Sequence, residues 1–205
     1  MSSATRRVSL EASAFMRRRI LIKGTSGAGK TTLAARVAAL LGVPHVELDA
    51  LQHGPNWRQA SEAALRAAVE AALDPERGWV VDGNYDSKLG RLVLDRAEVV
   101  VWLDLPLGLA LWRLARRTTR RILFRETLWN GNRESLRDAL GGWDALFPWA
   151  VRSHFRHRRE WPEQLAGAPL VRLRSTQEVE DWFAAFSAAS AQVPVSRISR
   201  EGSKP

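Results

Sequence analysis

Residues Gly24 to Thr31 read GTSGAGKT and match the pattern G-x-x-x-x-G-K-[ST] at every fixed position. These residue types suit the holding of phosphate. Glycines let the backbone wrap closely, so the N–H groups of Gly27, Gly29, Lys30 and Thr31 can converge on anionic oxygens. The Lys30 ammonium suits a bridge between β- and γ-phosphates, and the Thr31 hydroxyl suits ligation of Mg²⁺. Ser26, Gly27, Ala28, Gly29, Lys30, Thr31 and Thr32 are therefore the expected nucleotide-binding loop, with ATP and Mg²⁺ as expected cofactors.

Three acids stand where a phosphate site could use them. Asp82 ends WVVD and Asp104 ends VVVWLD, and either suits the magnesium shell, although strand-end acids also cap helices and tie loops. Asp82 is preferred because Gly83 and the polar residues Asn84, Tyr85, Ser87 and Lys88 follow it, as at the rim of a site. Asp49 ends the expected strand VPHVELDA, beside the loop. From there a carboxylate can orient an acceptor hydroxyl or take its proton, and the alternatives are a helix cap or support of Mg²⁺. Arg58 suits an acceptor phosphate, and Asn84 and Lys88 complete the expected acceptor set. His154 and His157, at i and i+3, lack a cysteine neighbour and sit among basic residues, which argues against a metal site.

Arg113, Arg116, Arg117, Arg120 and Arg121 recur at i, i+3, i+4, i+7 and i+8, the spacing of one helical face. Leu107, Leu111, Leu114 and Ile122 form the expected buried stripe opposite. With no acid between Asp104 and Glu126, local pairing leaves the arginines free to clamp a phosphoryl group. The alternatives are a solvated basic face and a nucleic-acid patch. From 118 to 160 the chain is rich in Trp, Gly and Arg, which predicts a mobile lid that excludes water, with its tryptophans as packing anchors.

These residues need a frame. Apolar runs predict strands at RILIK (19–23), VPHVELDA, WVVDG, AEVVVWLDLP and PLVRLRS. TTLAARVAALLG, SEAALRAAVEAAL and TQEVEDWFAAF carry helical spacing between or after them. Strands separated by helices imply a parallel sheet covered on both faces, a three-layer α/β domain.

The net charge is +9 and the chain has no cysteine, so disulfides and thiolate metal sites are excluded. No apolar run approaches a membrane span, and the basic N-terminus lacks a continuous apolar core, so the expected location is the cytoplasm. The expected organisation is a basic N-terminal extension over 1–18, one domain over 19–187, and a frayed tail over 188–205.

The stretches VELDALQHGPNW, WVVDGNY, VVWLDLP and WNGNRES, with the phosphate loop and the helix LDLPLGLALWRLARR, cover most of residues 19–185. Together they resemble the P-loop kinases of the adenylate kinase type, and most of all the group labelled DNA topology modulation proteins. That resemblance implies a P-loop fold with a five-stranded parallel sheet and a helical lid over 118–160. It makes 50–75 the acceptor segment and Arg113 and Arg117 the lid-side contacts to ATP, and puts Ser175 and Thr176 near the adenine. The chain departs from it at Asp82-Gly83-Asn84-Tyr85-Asp86, where adenylate kinases have D-G-F-P-R. The phosphate-reading arginine is missing there, with Lys88 or Arg91 as substitutes.

Two functions follow as expectations. One is an ATP-dependent phosphotransferase acting on a small-molecule or nucleotide acceptor. The other is a nucleotide-binding switch or nucleic-acid-associated ATPase, which would use the basic surplus on a phosphate backbone. The arginines concentrate where a lid should be, which favours the first.

Overall fold

The computed structural model describes residues 18–135, 141 and 145–191. Five strands form one sheet in the order β2-β3-β1-β4-β5: β1 Arg19–Gly24, β2 His45–Glu47, β3 Trp79–Asp82, β4 Val99–Leu103 and β5 Leu170–Leu173. Every neighbouring pair is parallel. The helices between them are α1 Lys30–Leu41, α2 Leu48–Gln52, α3 Glu62–Ala72, α4 Asp86–Leu89, α5 Leu107–Leu123, α6 Leu146–Gln164 and α7 Thr176–Ala191.

Side chains alternate across a strand, and here both faces are covered. Ile20, Ile22, Val80 and Val101 pack with Leu33, Val37 and Phe186, which places α1 and α7 on one face. Leu21, Val81, Val100 and Trp102 pack with Leu65, Val69, Trp161 and Leu165, which places α3 and α6 on the other. This is the expected three-layer, five-stranded α/β/α fold. Strand β1 lies between β3 and β4, so the chain leaves its C-terminal end at the point where the strand order reverses. Open parallel sheets bind ligands in the crevice at such points. Among the described residues no helix is long and apolar enough to cross a membrane.

Six expectations change. Strand β2 ends at Glu47, and Asp49 lies in the first turn of α2 rather than at a strand end. The arginine stripe divides: Arg113, Arg117 and Arg121 are half-buried, while Arg116 and Arg120 face solvent. The buried stripe of α5 is Ala110, Leu114 and Thr118, with Ala110 and Leu114 against Gly27 of the phosphate loop. Later acids also reach the helix, since Arg120 pairs with Glu126 and Arg121 with Glu134. The expected lid contains much of α6, and Ala150, Ser153, His154 and His157 of that helix are buried, so this part packs as core. Helix α7 reaches Ala191, past the expected start of the tail. The N-terminal extension up to residue 17, the tail from 192, and Trp143 lie outside the described residues.

His154 and His157 are structural in this frame. His154 Nδ1 lies 3.3 Å from Thr25 Oγ1, and His157 stacks on Trp161 at 3.9 Å between ring centroids. Among the described residues no three potential ligands gather for a metal. Burial, and then the positive charge of Lys23, pushes the His157 imidazole down to about 3. Burial lowers His154 as well. A neutral ring that resists protonation stabilises the fold fully above its unfolded pKa, and that stability is lost as pH falls below it. Taking free imidazole near 6.5, His157 alone removes about 2 kcal/mol between neutrality and pH 5. Urea unfolding at pH 7.5 and pH 5 should show this loss, and His157→Phe should flatten the dependence.

Candidate active site

The phosphate loop is built by close approach. Thr25 carbonyl accepts the Ala28 N–H at 3.0 Å and the Lys30 ammonium at 3.3 Å. Gly27 has φ +84, and a Cβ there would run into the carbonyl of Ala110 at the start of α5. Only glycine fits that contact. Gly29, at φ +93, precedes α1, whose N-terminus carries no side-chain cap. The first N–H groups of α1 therefore remain available to an anion. Ser26 is half-buried in the loop, and Thr31 and Thr32 are exposed on the first turn of α1.

Part of the Lys30 side chain is accessible, yet protein surrounds its ammonium. Burial lowers its pKa most; Asp49 and then Asp82 oppose this, while Arg117 and Lys23 add to it. These residues therefore share one electrostatic neighbourhood. Asp82 is buried, with its Oδ2 3.3 Å from His45 Nε2. The rival acid, Asp104, is tied up elsewhere: Arg158 Nε donates to it at 2.6 Å and Arg172 Nη2 at 2.7 Å. This double ion pair fixes the end of β4 to α6 and β5.

The polar run after β3 is fastened to the end of β1. The Asn84 amide donates to the Gly24 carbonyl at 2.7 Å and its oxygen receives the Gly24 N–H at 3.4 Å. Asn84, expected to bind the acceptor, ties both ends of its amide to the root of the loop. Two residues later, Asp86 receives the buried Lys23 ammonium at 2.6 Å. Between these ties, Tyr85 is aimed at α2, and its hydroxyl donates to Asp49 Oδ1 at 2.7 Å. His53 Nε2 lies 3.4 Å from the same hydroxyl. Burial, and then the Asp49 charge, raises the Tyr85 pKa, so the phenol stays a neutral donor.

Arginines close the other side. A methyl built on Gly29 would lie 3.6 Å from Arg113 Nη1, which puts that guanidinium beside the loop. Burial lowers the Arg117 pKa most, followed by Arg121, with Glu134 and Asp49 opposing. Among the described residues the buried Arg117 Nε has no hydrogen-bond partner, so it keeps a donor for an anion.

The other expected residues have their own surroundings. Arg58 is exposed after a 3₁₀ turn. Lys88 donates to Gln59 at 3.2 Å, and Arg91 is engaged by Asp95 and the Gln164 carbonyl. Ser175 receives the Glu178 N–H and so caps α7, with Thr176 as its first residue. Sequence reading missed the partnership of Tyr85 with Asp49, the role of Lys23 and Asp86, and the reach of Glu134. The only signal for the first was the placement of Tyr85 among rim residues.

A family model described as ATPase family associated with various cellular activities (AAA) matches residues 20–81, less than a third of the chain. No curated protein matches the sequence. Among solved structures, the chain is similar to a gluconokinase from Sinorhizobium meliloti, with 19% identity and a TM-score of 0.48, over 85% of this chain and 93% of that one. It is also similar to shikimate kinase from Acinetobacter baumannii in complex with shikimate, with 16% identity and a TM-score of 0.49, over 90% and 99%. A third is deoxyadenosine kinase from M. mycoides, with 12% identity and a TM-score of 0.40, over 85% and 99%. The chain thus joins a phosphate-loop motif to a five-stranded parallel α/β/α fold, and is similar at low identity to these three solved kinases.

Proposed function

We propose that this protein is an ATP-dependent phosphotransferase that moves the γ-phosphoryl group to a hydroxyl of a small acceptor. One observation carries the reading: Lys30, Arg117 and Asp49 share a neighbourhood, and Tyr85 holds the Asp49 carboxylate by a 2.7 Å hydrogen bond. An acid so held suits an acceptor whose proton must leave. A nucleoside monophosphate brings an ionised phosphate and needs arginines instead.

In this reading the N-terminal end of α1 and Lys30 bind the β- and γ-phosphates, and Arg113 and Arg117 neutralise charge on the transferring group. Thr31 and Asp82 fit Mg²⁺, which characteristically takes one or two protein oxygens beside substrate phosphates. The bound ion would screen the phosphates. Asp49 orients the acceptor hydroxyl and receives its proton as the acceptor oxygen bonds to phosphorus and the bond to ADP breaks. Arg58 and Lys88 line the acceptor side, Ser175 and Thr176 the adenine side. Residues 19–187 form the catalytic domain, 50–75 its acceptor segment, and the lid is drawn from 118–160, leaving out the part of α6 that packs as core. The sequence resemblance to P-loop kinases of the adenylate kinase type, and the DNA topology modulation group among them, is in keeping with phosphoryl transfer, and a cytoplasmic setting is part of the proposal.

A second reading, a nucleic-acid-associated ATPase, has one feature in its favour. Trp112 and Phe124 are 60% and 74% exposed on the outer side of α5, next to Arg116 and Arg120. Aromatic and guanidinium groups together can stack on bases. Variants separate the two. Arg117→Ala should lower kcat at least ~10-fold while weakening ATP binding less, as expected for an interaction strongest in the transition state. Trp112→Ala and Arg116→Ala should leave transfer unchanged. The reverse pattern, with salt-steep DNA binding lost in the outer variants, would favour the second reading.

A further inference from the structure

Residues 129–134 are bound to the acceptor segment more closely than their place in the chain requires. Trp129 Nε1 donates to Glu47 Oε2 at 3.0 Å, and Asn130 Nδ2 donates to the His53 carbonyl at 2.7 Å. Asn132 works in both directions: its amide donates to the Gly54 carbonyl at 2.9 Å, and its oxygen receives the Trp57 N–H at 2.9 Å. The Trp57 indole returns a bond to the Arg133 carbonyl at 3.2 Å. Asn132 is 4% exposed, so its own two bonds are sheltered, while those of Asn130 and the Trp57 indole lie at the surface.

Both partners adopt the same uncommon backbone. Asn56 and Trp57 have φ +56 and +57, and Asn130 and Gly131 have φ +56 and +79. Asparagine and glycine tolerate this region, but a tryptophan there is strained and persists only where its surroundings hold it. The mutual hydrogen bonds are what hold Trp57.

The next residue faces the arginines. Glu134 Oε1 receives Arg121 Nη1 at 2.7 Å, with the two side chains 11% and 16% exposed. Glu134 also opposes the lowering of the Arg117 pKa, so it lies within electrostatic reach of that guanidinium. Among the described residues, Glu134 Oε2 and the Nε atoms of Arg117 and Arg121 are buried without hydrogen-bond partners. The carboxylate therefore binds Arg121 directly, acts on the Arg117 charge through space, and keeps one oxygen uncommitted. Without it, Arg117 and Arg121 repel each other in a poorly solvated place.

We propose that residues 129–134 couple the acceptor segment to the arginines of the phosphate site, with Glu134 the positioning residue that sets Arg117 and Arg121. One short segment grips residues 47–57 at one end and the guanidinium pair at the other. Movement of the arginines onto phosphate must then be felt at the acceptor segment. This inference rests on the nucleotide site proposed above.

Amide hydrogen exchange tests it, with the Mg²⁺ complex of adenylyl imidodiphosphate as the probe, so turnover is not needed. In the wild-type chain the probe should slow exchange in the phosphate loop, in α5 and across residues 47–57. In Glu134→Gln the loop should stay protected while protection of 47–57 falls about 5-fold or more. Glu134→Asp, which keeps the carboxylate, should recover part of it. Trp129→Phe removes one indole bond with little change of shape, and should weaken the same protection should Glu134→Gln fail to fold. Protection of 47–57 that is equal in wild type and variants, or absent from wild type while the loop is protected, would overturn the coupling. No protection of the wild-type loop would remove the nucleotide site itself, and the coupling with it; that failure is seen in a different segment.

Discussion

Lys30→Ala abolishes phosphoryl transfer, with a loss of at least ~100-fold in kcat expected from deleting a charge-assisted contact made to the transferring group. The fold should survive. Lys30 belongs to neither packed apolar cluster, and among the described residues its ammonium is bonded only across the loop, to Thr25. Removal of a cation whose burial already opposes its charge relieves a desolvation cost rather than breaking the core. Binding of ATP should weaken, since α1 and the loop N–H groups keep only part of the phosphate contacts. Calorimetric titration with ATP, beside turnover and a urea melt of the same sample, checks all three. Unchanged turnover in a folded Lys30→Ala would overturn the assignment of this loop.

Asp49→Asn should keep ATP affinity and lose transfer by ~100-fold or more, the range expected when a general base is removed. Asparagine still accepts the Tyr85 hydroxyl bond, so the local geometry is kept while the proton acceptor is lost. Tyr85→Phe is the companion variant. It frees the carboxylate without removing it, and a smaller loss is expected, carried by orientation alone. The pair separates chemistry from packing, because a purely structural Asp49 would respond to both changes alike. Phosphorylation of a nucleoside monophosphate at wild-type rate by Asp49→Asn would contradict a hydroxyl acceptor.

The phosphate loop was legible in the sequence because its requirements are local. Gly27 and Gly29 serve positive φ, and strand, loop and helix are contiguous. The sheet was legible for a related reason: buried parallel strands are continuous apolar runs. What failed to show was tertiary. Asp49 read as the end of a strand, yet the chain turns into α2 one residue earlier, at Leu48, which is buried beneath Gly83. The arginine spacing gave one helical face, but the face divides where α5 meets the loop, which no period reveals. The tie of Asn84 to Gly24 did not show either, since it joins a side-chain amide to the N–H and C=O of a residue 60 positions away. Glu134 lies 13 positions from Arg121, too far for any helical pairing rule to join them.

Following the γ-phosphate itself tests the central claim most directly. The wild-type chain, Mg²⁺ and ATP are incubated with a panel of polyhydroxylated small molecules, and in parallel with nucleoside monophosphates and single-stranded DNA, under phosphorus NMR. The account predicts a phosphate monoester signal with one hydroxyl compound, formed in step with ADP and absent with Lys30→Ala. ATP consumption unaltered by every small acceptor, yielding only inorganic phosphate and accelerated by DNA, would contradict it.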